Sequence, residues 1–176
     1  QPIVSAAHAL NVKVYQGSSL NVLERFVKAS SDMDEDDLLI RFTADNPICI
    51  ASITKSVFEI AKEKDYVAID GLSHIVPEFM KVKALRRVKE LGDDPIDIEH
   101  VTTFFRKKEG ESLFQIQLLP SNYLSLKPEM DKYLTIDTNK DLLRLEKIIG
   151  AIDSSYTLED IYSVIEKQVL VNSDSE

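Results

Sequence analysis

Apolar residues near the start of the chain recur at spacings that predict a helix, a short strand and a second helix. The first helix has four apolar residues on one face, Ile3, Ala6, Ala7 and Leu10. The alternation of residues 12–15 predicts the strand, and residues 16–19 form the turn after it. The second helix has the apolar face Leu20, Leu23, Phe26 and Val27.

The same alternation of strands and helices continues beyond an acidic loop over residues 30–37. Residues 38–42 are expected to form a largely buried strand, and residues 65–69 a further strand. Between them lies a helix with the apolar face Ile53, Val57, Ile60 and Ala61. Strands that alternate with helices of this length imply right-handed crossovers. The predicted fold is therefore α/β and Rossmann-like, with a mainly parallel sheet and helices on both faces.

The middle of the chain has weaker strand signals. Residues 71–80 are predicted to be irregular or an edge strand, because Pro77 cannot donate a hydrogen bond to a sheet ladder. Helices are expected over residues 83–91, where Gly92 ends the pattern, and over residues 98–105.

Two strands and two helices are predicted in the last part of the chain. Residues 114–118 alternate in the manner of a strand with one face in water, and residues 133–137 are expected to form the last strand. Each of the two helices begins with a sequence that resembles a capping box, in the pairs Thr138 with Asp141 and Thr157 with Asp160.

The composition is that of a globular protein, with 44% hydrophobic and 29% charged residues. A length of 176 residues favours a single domain over residues 1–176. The net charge of −9 argues against binding to nucleic acid or to an anionic membrane, because both need a positive field. No stretch of the sequence approaches the roughly 20 apolar residues of a transmembrane helix. The single cysteine, Cys49, cannot form an internal disulfide, which favours a cytoplasmic location.

Two aspartates fall where two predicted strands end. Asp45 follows the strand of residues 38–42, and Asp137 closes the last strand. Ligands of parallel α/β sheets bind at the carboxyl ends of strands, and two carboxylates there commonly hold Mg²⁺ for nucleotide phosphates. The alternative is that each aspartate caps the helix that follows it. Spacing alone leaves both interpretations open.

Six segments of the chain carry an ordered resemblance to a known family. They are GSSLNVLERF at residues 17–26, IRFTADNP at 40–47, PEFM at 77–80, EHVT at 99–102, LTIDTNKDL at 134–142 and TLEDI at 157–161. Each motif alone is weakly specific, whereas the ordered set covers nearly the whole chain. The set resembles the spore coat polysaccharide biosynthesis cytidylyltransferases, which are relatives of the acylneuraminate and 3-deoxy-manno-octulosonate cytidylyltransferases.

The resemblance implies a GT-A-like nucleotidyltransferase that transfers CMP from CTP to a sugar or sugar acid and releases pyrophosphate, for a surface polysaccharide or glycan. It also implies Mg²⁺ held by Asp45 and Asp137, where the ion would neutralise charge on the phosphoryl oxygens. Among the other matched residues, His100 is expected to act in catalysis. Substrate binding is expected of Ser18, Arg25, Arg41, Glu78 and Glu99.

Several of these residues have a structural alternative. Arg41 could pair with a neighbouring carboxylate instead of orienting the site. Glu99 and His100 could form a pair at the start of a helix with a structural hydrogen bond, and Arg25 could be solvated or ion-paired. The residue types leave these alternatives open.

The chain departs from the family pattern in two places. Ala44 stands where the family usually has glycine, so a methyl group intrudes where backbone and nucleotide would approach each other. The family's first strand and its glycine- and arginine-containing phosphate loop are absent, so the domain is expected to be N-terminally incomplete. Loss of a central strand would expose hydrogen-bonding edges and apolar side chains. Such a chain is expected to form a homodimer or to recruit another segment.

Two other functions compete with this enzyme. A relative could keep the fold as a binding or assembly module without turnover. A glycosyltransferase with the related GT-A-like fold would need an Asp-x-Asp metal motif. The match, Asp32-Met33-Asp34, lies in the acidic loop and is expected to be a solvated charge cluster.

Overall fold

A computed structural model describes residues 2–72, 74–153 and 155–167, apart from the side chains of Pro128 and Asp131. The helices in these ranges are α1 Pro2–Ala9, α2 Val22–Ala29, α3 Ala51–Ala61, α4 Val82–Leu91, α5 Pro95–His100, α6 Lys108–Leu113, α7 Pro128–Asp131, α8 Asn139–Gly150 and α9 Leu158–Ile165. The strands are β1 Leu38–Arg41, β2 Tyr66–Ile69, β3 Glu78–Lys81 and β4 Ile116–Leu119. Short 3-10 helices span Thr103–Arg106 and Ser121–Leu124.

The chain groups into two compact units, and each unit is made of two separate segments. The first unit combines Gln1–Asp37 with Lys81–Phe114, and the second combines Leu38–Met80 with Gln115–Glu176. The single domain over residues 1–176 stays a prediction.

The second unit contains a sheet with the strand order β1-β3-β2-β4. Strand β2 runs parallel to β4, with Tyr66 opposite Ile116, and antiparallel to β3, with Val67 opposite Phe79. The α/β class is confirmed, whereas a mainly parallel Rossmann-like sheet with helices on both faces stays a prediction. The strand predicted at the edge, β3, lies inside the sheet. It begins directly after Pro77, so the proline needs no place in the ladder.

The core of the second unit forms around β2 and α3. All four residues of β2 are buried, as expected for a strand with a covered face on each side. The predicted apolar face of α3 is also confirmed, because Ile53, Val57 and Ala61 are buried. Strand β1 differs from its prediction. It lies at the edge of the sheet, and Ile40 is 40% exposed, so the strand is not largely buried.

The first unit is built from helices that pack around apolar side chains of α2 and α4. Leu23, Leu85 and Val88 are fully buried, and the ring of Phe105 meets Phe114 edge to face at 5.1 Å. Helix α1 is present, but Leu10 of its predicted apolar face lies outside it and is 76% exposed. The expected strand over residues 12–15 is wrong, because these residues have no regular structure.

The start of α2 also corrects the predicted apolar face. The side chain of Asn21 accepts a hydrogen bond from the backbone N–H of Glu24 at 2.8 Å and caps the helix there. Leu20 therefore lies outside α2, and it is 83% exposed. Helix α4 ends at Gly92 as expected.

The helix predicted over residues 98–105 is wrong, because the backbone breaks at Val101. Helix α5 ends at His100, and a 3-10 helix follows at Thr103–Arg106. Val101 has φ of 67° and ψ of −47°, and the N–H of Thr102 donates to the carbonyl of His100 at 2.7 Å. This is a γ-turn of the strained, positive-φ kind, held here by a fully buried β-branched residue.

The strand predicted over residues 133–137 is wrong as well. This segment forms a turn and then an irregular stretch, and its carbonyl groups bond to a side chain instead of a ladder. The guanidinium of Arg144 donates to the carbonyl oxygens of Lys132, Tyr133 and Thr135 at 3.3, 3.0 and 3.2 Å. These bonds satisfy the backbone acceptors without a neighbouring strand.

One glycine of the first unit is required by packing. A methyl group on Gly110 would collide with the carbonyl oxygen of Phe104, a backbone atom that cannot swing aside. We expect Gly110→Ala to lower the free energy of unfolding by about 1–3 kcal/mol, as overpacking does. Gly150 at the end of α8 faces open space, so Gly150→Ala is the matched control and should be neutral or slightly stabilising. Urea denaturation compares them, and equal midpoints would contradict the packing at Gly110.

Candidate active site

Asp45 lies in the loop between β1 and α3 and is exposed to solvent. The next residue, Asn46, is only 6% exposed. Its side-chain amide donates to the hydroxyl of Thr43 at 2.7 Å, and its backbone N–H donates to the carbonyl of the same threonine at 3.1 Å. The loop is therefore a tight turn that is anchored by a buried amide and presents Asp45 on the surface.

Asp137 is exposed in the segment that precedes α8. The cap of this helix is Thr138, and the predicted capping box with Asp141 is confirmed. Asp141 accepts from the Thr138 hydroxyl at 2.7 Å and from the Arg144 guanidinium at 2.7 Å. The hydrogen bond from the Thr138 hydroxyl is the main cause that lowers the pKa of Asp141 to about 2, and the bond from Arg144 adds to it. Asp141 is thus committed to the helix start, and Asp137 is not the cap.

Asp45 does not cap the helix that follows it either. The residue that caps α3 is Ile50, which offers no side-chain hydrogen bond, and it lies five positions after Asp45. Neither aspartate caps the helix that follows it, so the structure removes the alternative that spacing left open.

The loops that carry the two aspartates are bonded to each other. The backbone N–H of Ile136 donates to the carbonyl oxygen of Asp45 at 2.9 Å. The hydroxyl of Thr135 donates to the side-chain oxygen of Asn46 at 2.8 Å. Residues that are about ninety positions apart in sequence therefore become neighbours, with Asp45 and Asp137 on adjoining segments.

The chemistry of this pair suits a hard divalent cation. Carboxylate oxygens are the ligands that Mg²⁺ takes, and the ion commonly uses one or two of them while phosphate and water oxygens complete its shell. Within the described residues there is no group of three or more His, Cys, Asp and Glu side chains placed to hold a metal. The magnesium site at Asp45 and Asp137 stays a prediction.

Arg41 and Glu78 pair with each other in the second unit. The Arg41 guanidinium donates to one carboxylate oxygen of Glu78 at 2.6 Å, and the Tyr66 hydroxyl donates to the other at 2.5 Å. The side chain of Glu78 is only 3% exposed. The pairing that the sequence left open for Arg41 is therefore present. The substrate-binding roles of Arg41 and Glu78 stay predictions.

Ser18 and Arg25 lie in the first unit, where they organise the entry to α2. The hydroxyl of Ser18 accepts from the backbone N–H of Leu20 at 3.2 Å and of Asn21 at 3.0 Å. The Arg25 guanidinium donates to the Ser18 carbonyl at 3.0 Å. Arg25 is thus bonded to backbone in this structure, and the substrate contacts of both residues stay predictions.

Glu99 and His100 also belong to the first unit. Both are exposed and end α5, so the expectation of a pair at a helix start is wrong. The γ-turn at Val101 follows immediately and fixes the direction in which the chain leaves them. Their predicted substrate-binding and catalytic roles are not decided by this geometry.

The Asp-x-Asp sequence of the acidic loop is a charge cluster in water, as expected. The Lys13 amine lies 2.9 Å from the Asp32 carboxylate, and both side chains are more than half exposed. The hydrogen bond from Lys13 lowers the pKa of Asp32.

Sequence reasoning missed the residues that hold the two aspartate loops together. Thr43 and Asn46 flank Asp45 at the spacing of a side-chain-stabilised turn, which is a recognisable local signal. Thr135 carries no such signal, because its partner lies 89 positions away.

Comparison with known proteins assigns the class. The fold resembles that of a solved cytidylyltransferase from Leptospira borgpetersenii serovar Hardjo-bovis, with a TM-score of 0.78, 19% identity, and coverage of 97% of this chain and 72% of that chain. The family description "Cytidylyltransferase" matches residues 2–175. The chain therefore belongs to the cytidylyltransferase family.

A relative by sequence is an uncharacterized protein of Methanocaldococcus jannaschii. The two are 37% identical over 161 residues, which cover 86% of this chain and 63% of that protein. This chain thus spans less than two thirds of the length of the curated relative it matches. Throughout the described ranges, each helix falls short of the length and apolar character needed to cross a membrane.

Proposed function

We propose that the full-length protein transfers CMP from CTP to a sugar or sugar acid and releases pyrophosphate. A hydroxyl oxygen of the sugar attacks the α-phosphorus of CTP, the bond from that phosphorus to the α–β bridging oxygen breaks, pyrophosphate leaves with that oxygen, and the hydroxyl proton passes to water. Membership of the cytidylyltransferase family supports nucleotidyl transfer. The use of the product for a surface polysaccharide or glycan, a homodimeric state and a cytoplasmic location belong to the same proposal.

The observation that carries the proposal is the bonded pair of loops that presents Asp45 and Asp137. Bound Mg²⁺ would supply charge neutralisation at the phosphoryl oxygens. The role of the chain is to hold two carboxylates on adjoining segments, and the Ile136 N–H bond to the Asp45 carbonyl fixes these segments to each other.

A turnover assay tests the proposed reaction. The full-length protein is mixed with CTP, Mg²⁺ and a panel of sugars and sugar acids, and pyrophosphate is measured. Release that depends on both CTP and one class of sugar is the expected result. The absence of release across a broad panel would contradict the proposal.

Asparagine substitutions test the two carboxylates. We expect Asp45→Asn and Asp137→Asn each to lower the rate of pyrophosphate release by about 100-fold or more, because each removes a charge that would hold the metal. The matched control is Asp153→Asn, an exposed aspartate of the same unit whose Oδ1 accepts from Ser155 and has an equivalent oxygen in asparagine. The control should keep wild-type activity. Full activity in both site variants would contradict the assignment of the metal to these two carboxylates.

A further inference from the structure

We infer that Asn46 is a positioning residue that sets the separation of the two metal-binding carboxylates, an inference that rests on the proposed function. The structure gives Asn46 three hydrogen bonds, two to Thr43 and one to Thr135. Thr43 belongs to the Asp45 loop, and Thr135 belongs to the Asp137 loop. One buried side chain therefore ties together the two segments on which the proposed site depends.

The amide of asparagine suits this position because it donates and accepts at once. The Asn46 nitrogen donates to the Thr43 hydroxyl at 2.7 Å, and the Asn46 oxygen accepts from the Thr135 hydroxyl at 2.8 Å. Aspartate would lose the donor, and an aliphatic residue would lose both bonds. Since Asn46 is 6% exposed, water cannot readily replace either partner.

A backbone hydrogen bond lies beside the side-chain bond between Asn46 and Thr135. The Ile136 N–H bond to the Asp45 carbonyl joins residues that directly follow Thr135 and directly precede Asn46. Two adjacent hydrogen bonds prevent the loops from sliding and from rotating against each other, whereas a single bond would still allow rotation about it. Asp45 and Asp137 each lie next to a bonded residue, so the spacing of their carboxylates depends on this junction.

Mg²⁺ binding requires a narrow range of spacings between the two carboxylates. The ion requires nearly octahedral geometry with oxygen ligands at about 2.0–2.1 Å. Residues that orient metal ligands without touching the metal typically change affinity by about 10–100-fold when they are replaced. Asn46 acts one step further from the ligands, because it bonds Thr43 and Thr135, each of which lies two residues before one of the aspartates.

Metal affinity measured apart from turnover tests the inference. Mn²⁺ replaces Mg²⁺ as a probe, and its binding to the full-length protein in the presence of CTP is followed by electron paramagnetic resonance. We expect Asn46→Ala and Thr135→Val each to weaken Mn²⁺ binding by about tenfold. Because both changes break the same bond, the double variant should lose less than the product of the two single effects.

Thr54→Val is the matched control. Thr54 belongs to α3, and its hydroxyl lies 3.1 Å from the sulfur of Cys49. This variant loses the same hydroxyl group at the same volume as Thr135→Val, so it should keep wild-type Mn²⁺ affinity. If Asn46→Ala fails to fold, Thr135→Val still decides the question, because it keeps the buried amide.

The possible outcomes separate the inference from the proposed function. Wild-type protein that neither binds Mn²⁺ with CTP nor releases pyrophosphate would overturn the proposed function itself. If the wild-type protein binds Mn²⁺ and Thr135→Val binds it equally tightly, only the positioning role of Asn46 is overturned. Losses of Mn²⁺ affinity that multiply in the double variant would also overturn that role. So would a loss in Thr54→Val equal to the loss in Thr135→Val. A loss confined to Asn46→Ala and Thr135→Val, without full multiplication, supports it.

Discussion

Replacement of Arg41 by methionine is expected to lower the free energy of unfolding by about 3–5 kcal/mol. The change keeps most of the side-chain volume but removes the cation that lies 2.6 Å from the Glu78 carboxylate. Glu78 is 3% exposed, so water cannot solvate the charge that is left behind. The Tyr66 hydroxyl would remain as a donor to one oxygen, which is too little to offset the loss of an opposite charge.

Urea denaturation of the full-length protein measures this loss. The matched control is Arg87→Met, which breaks a pair with Glu90 whose side chains are 55% and 64% exposed, and it should cost less than about 1 kcal/mol. Addition of Glu78→Gln to the Arg41 variant should restore part of the stability, because it removes the buried charge that has lost its Arg41 partner. Equal losses for the Arg41 and Arg87 variants would contradict the account of a buried pair.

A second large effect is expected from Lys107→Met in the first unit. The Lys107 amine donates to Asp94 at 2.8 Å and to Asp97 at 2.6 Å. Asp97 is 1% exposed, whereas the Lys107 side chain is 38% exposed, so water reaches the amine but not the buried carboxylate. Because Thr103 still donates to Asp97 at 2.7 Å, we expect a loss of about 2–3 kcal/mol, below that of a fully buried pair.

The Lys107 network also predicts a pH dependence. Hydrogen bonds to Asp94 and then to Asp97 raise the pKa of Lys107. Its contribution to stability is therefore fully present below the unfolded-state pKa of about 10.4 and is lost as the pH rises through the higher folded-state value. Unfolding midpoints of wild type and Lys107→Met should differ most at pH 8 and should converge only as the pH rises through the raised folded-state pKa of Lys107.

Lys62→Met is the control for the lysine substitution. It breaks an exposed pair with Glu59, with side chains 47% and 58% exposed, and should change stability by less than about 1 kcal/mol. A Lys107 variant as stable as this control at pH 8 would show that Asp97 does not depend on the amine.

Local signals explain which parts of the fold could be predicted from sequence. Both capping boxes, at Thr138 and Thr157, formed as expected, because a cap is complete within four residues. Helix α3 and strand β2 also followed the predicted apolar patterns, since each buries the residues that the pattern selects. Strand β1 was expected at the right place, but its exposure depends on its position at the sheet edge, which no local pattern encodes.

Two of the failed predictions have different physical origins. Residues 133–137 were predicted as a strand, yet Arg144 on α8 donates to the carbonyl groups of Tyr133 and Thr135. Val101 lies in a segment predicted to be helical, yet its backbone adopts a positive φ that the sequence pattern disfavours. There the break coincides with a local bond, from the Thr102 N–H to the His100 carbonyl.

Only part of the candidate site was predicted from the sequence. Asp45 and Asp137 were selected by resemblance, because spacing alone could not separate a metal pair from two helix caps. The pairing of Arg41 with a neighbouring carboxylate remained one of two alternatives, and the sequence did not single out Glu78 as that partner. The junction of Asn46 with Thr135 could not be anticipated, because only the folded chain brings together residues 89 positions apart.

The proposed function requires that Asp45 and Asp137 hold a metal that binds together with CTP. Calorimetric titration of the full-length protein with CTP, with and without Mg²⁺, tests it most directly. The account predicts binding that weakens by about tenfold or more when Mg²⁺ is withheld, and by a similar factor in the Asp45→Asn/Asp137→Asn variant with Mg²⁺ present. CTP affinity that is the same in all three conditions would contradict it.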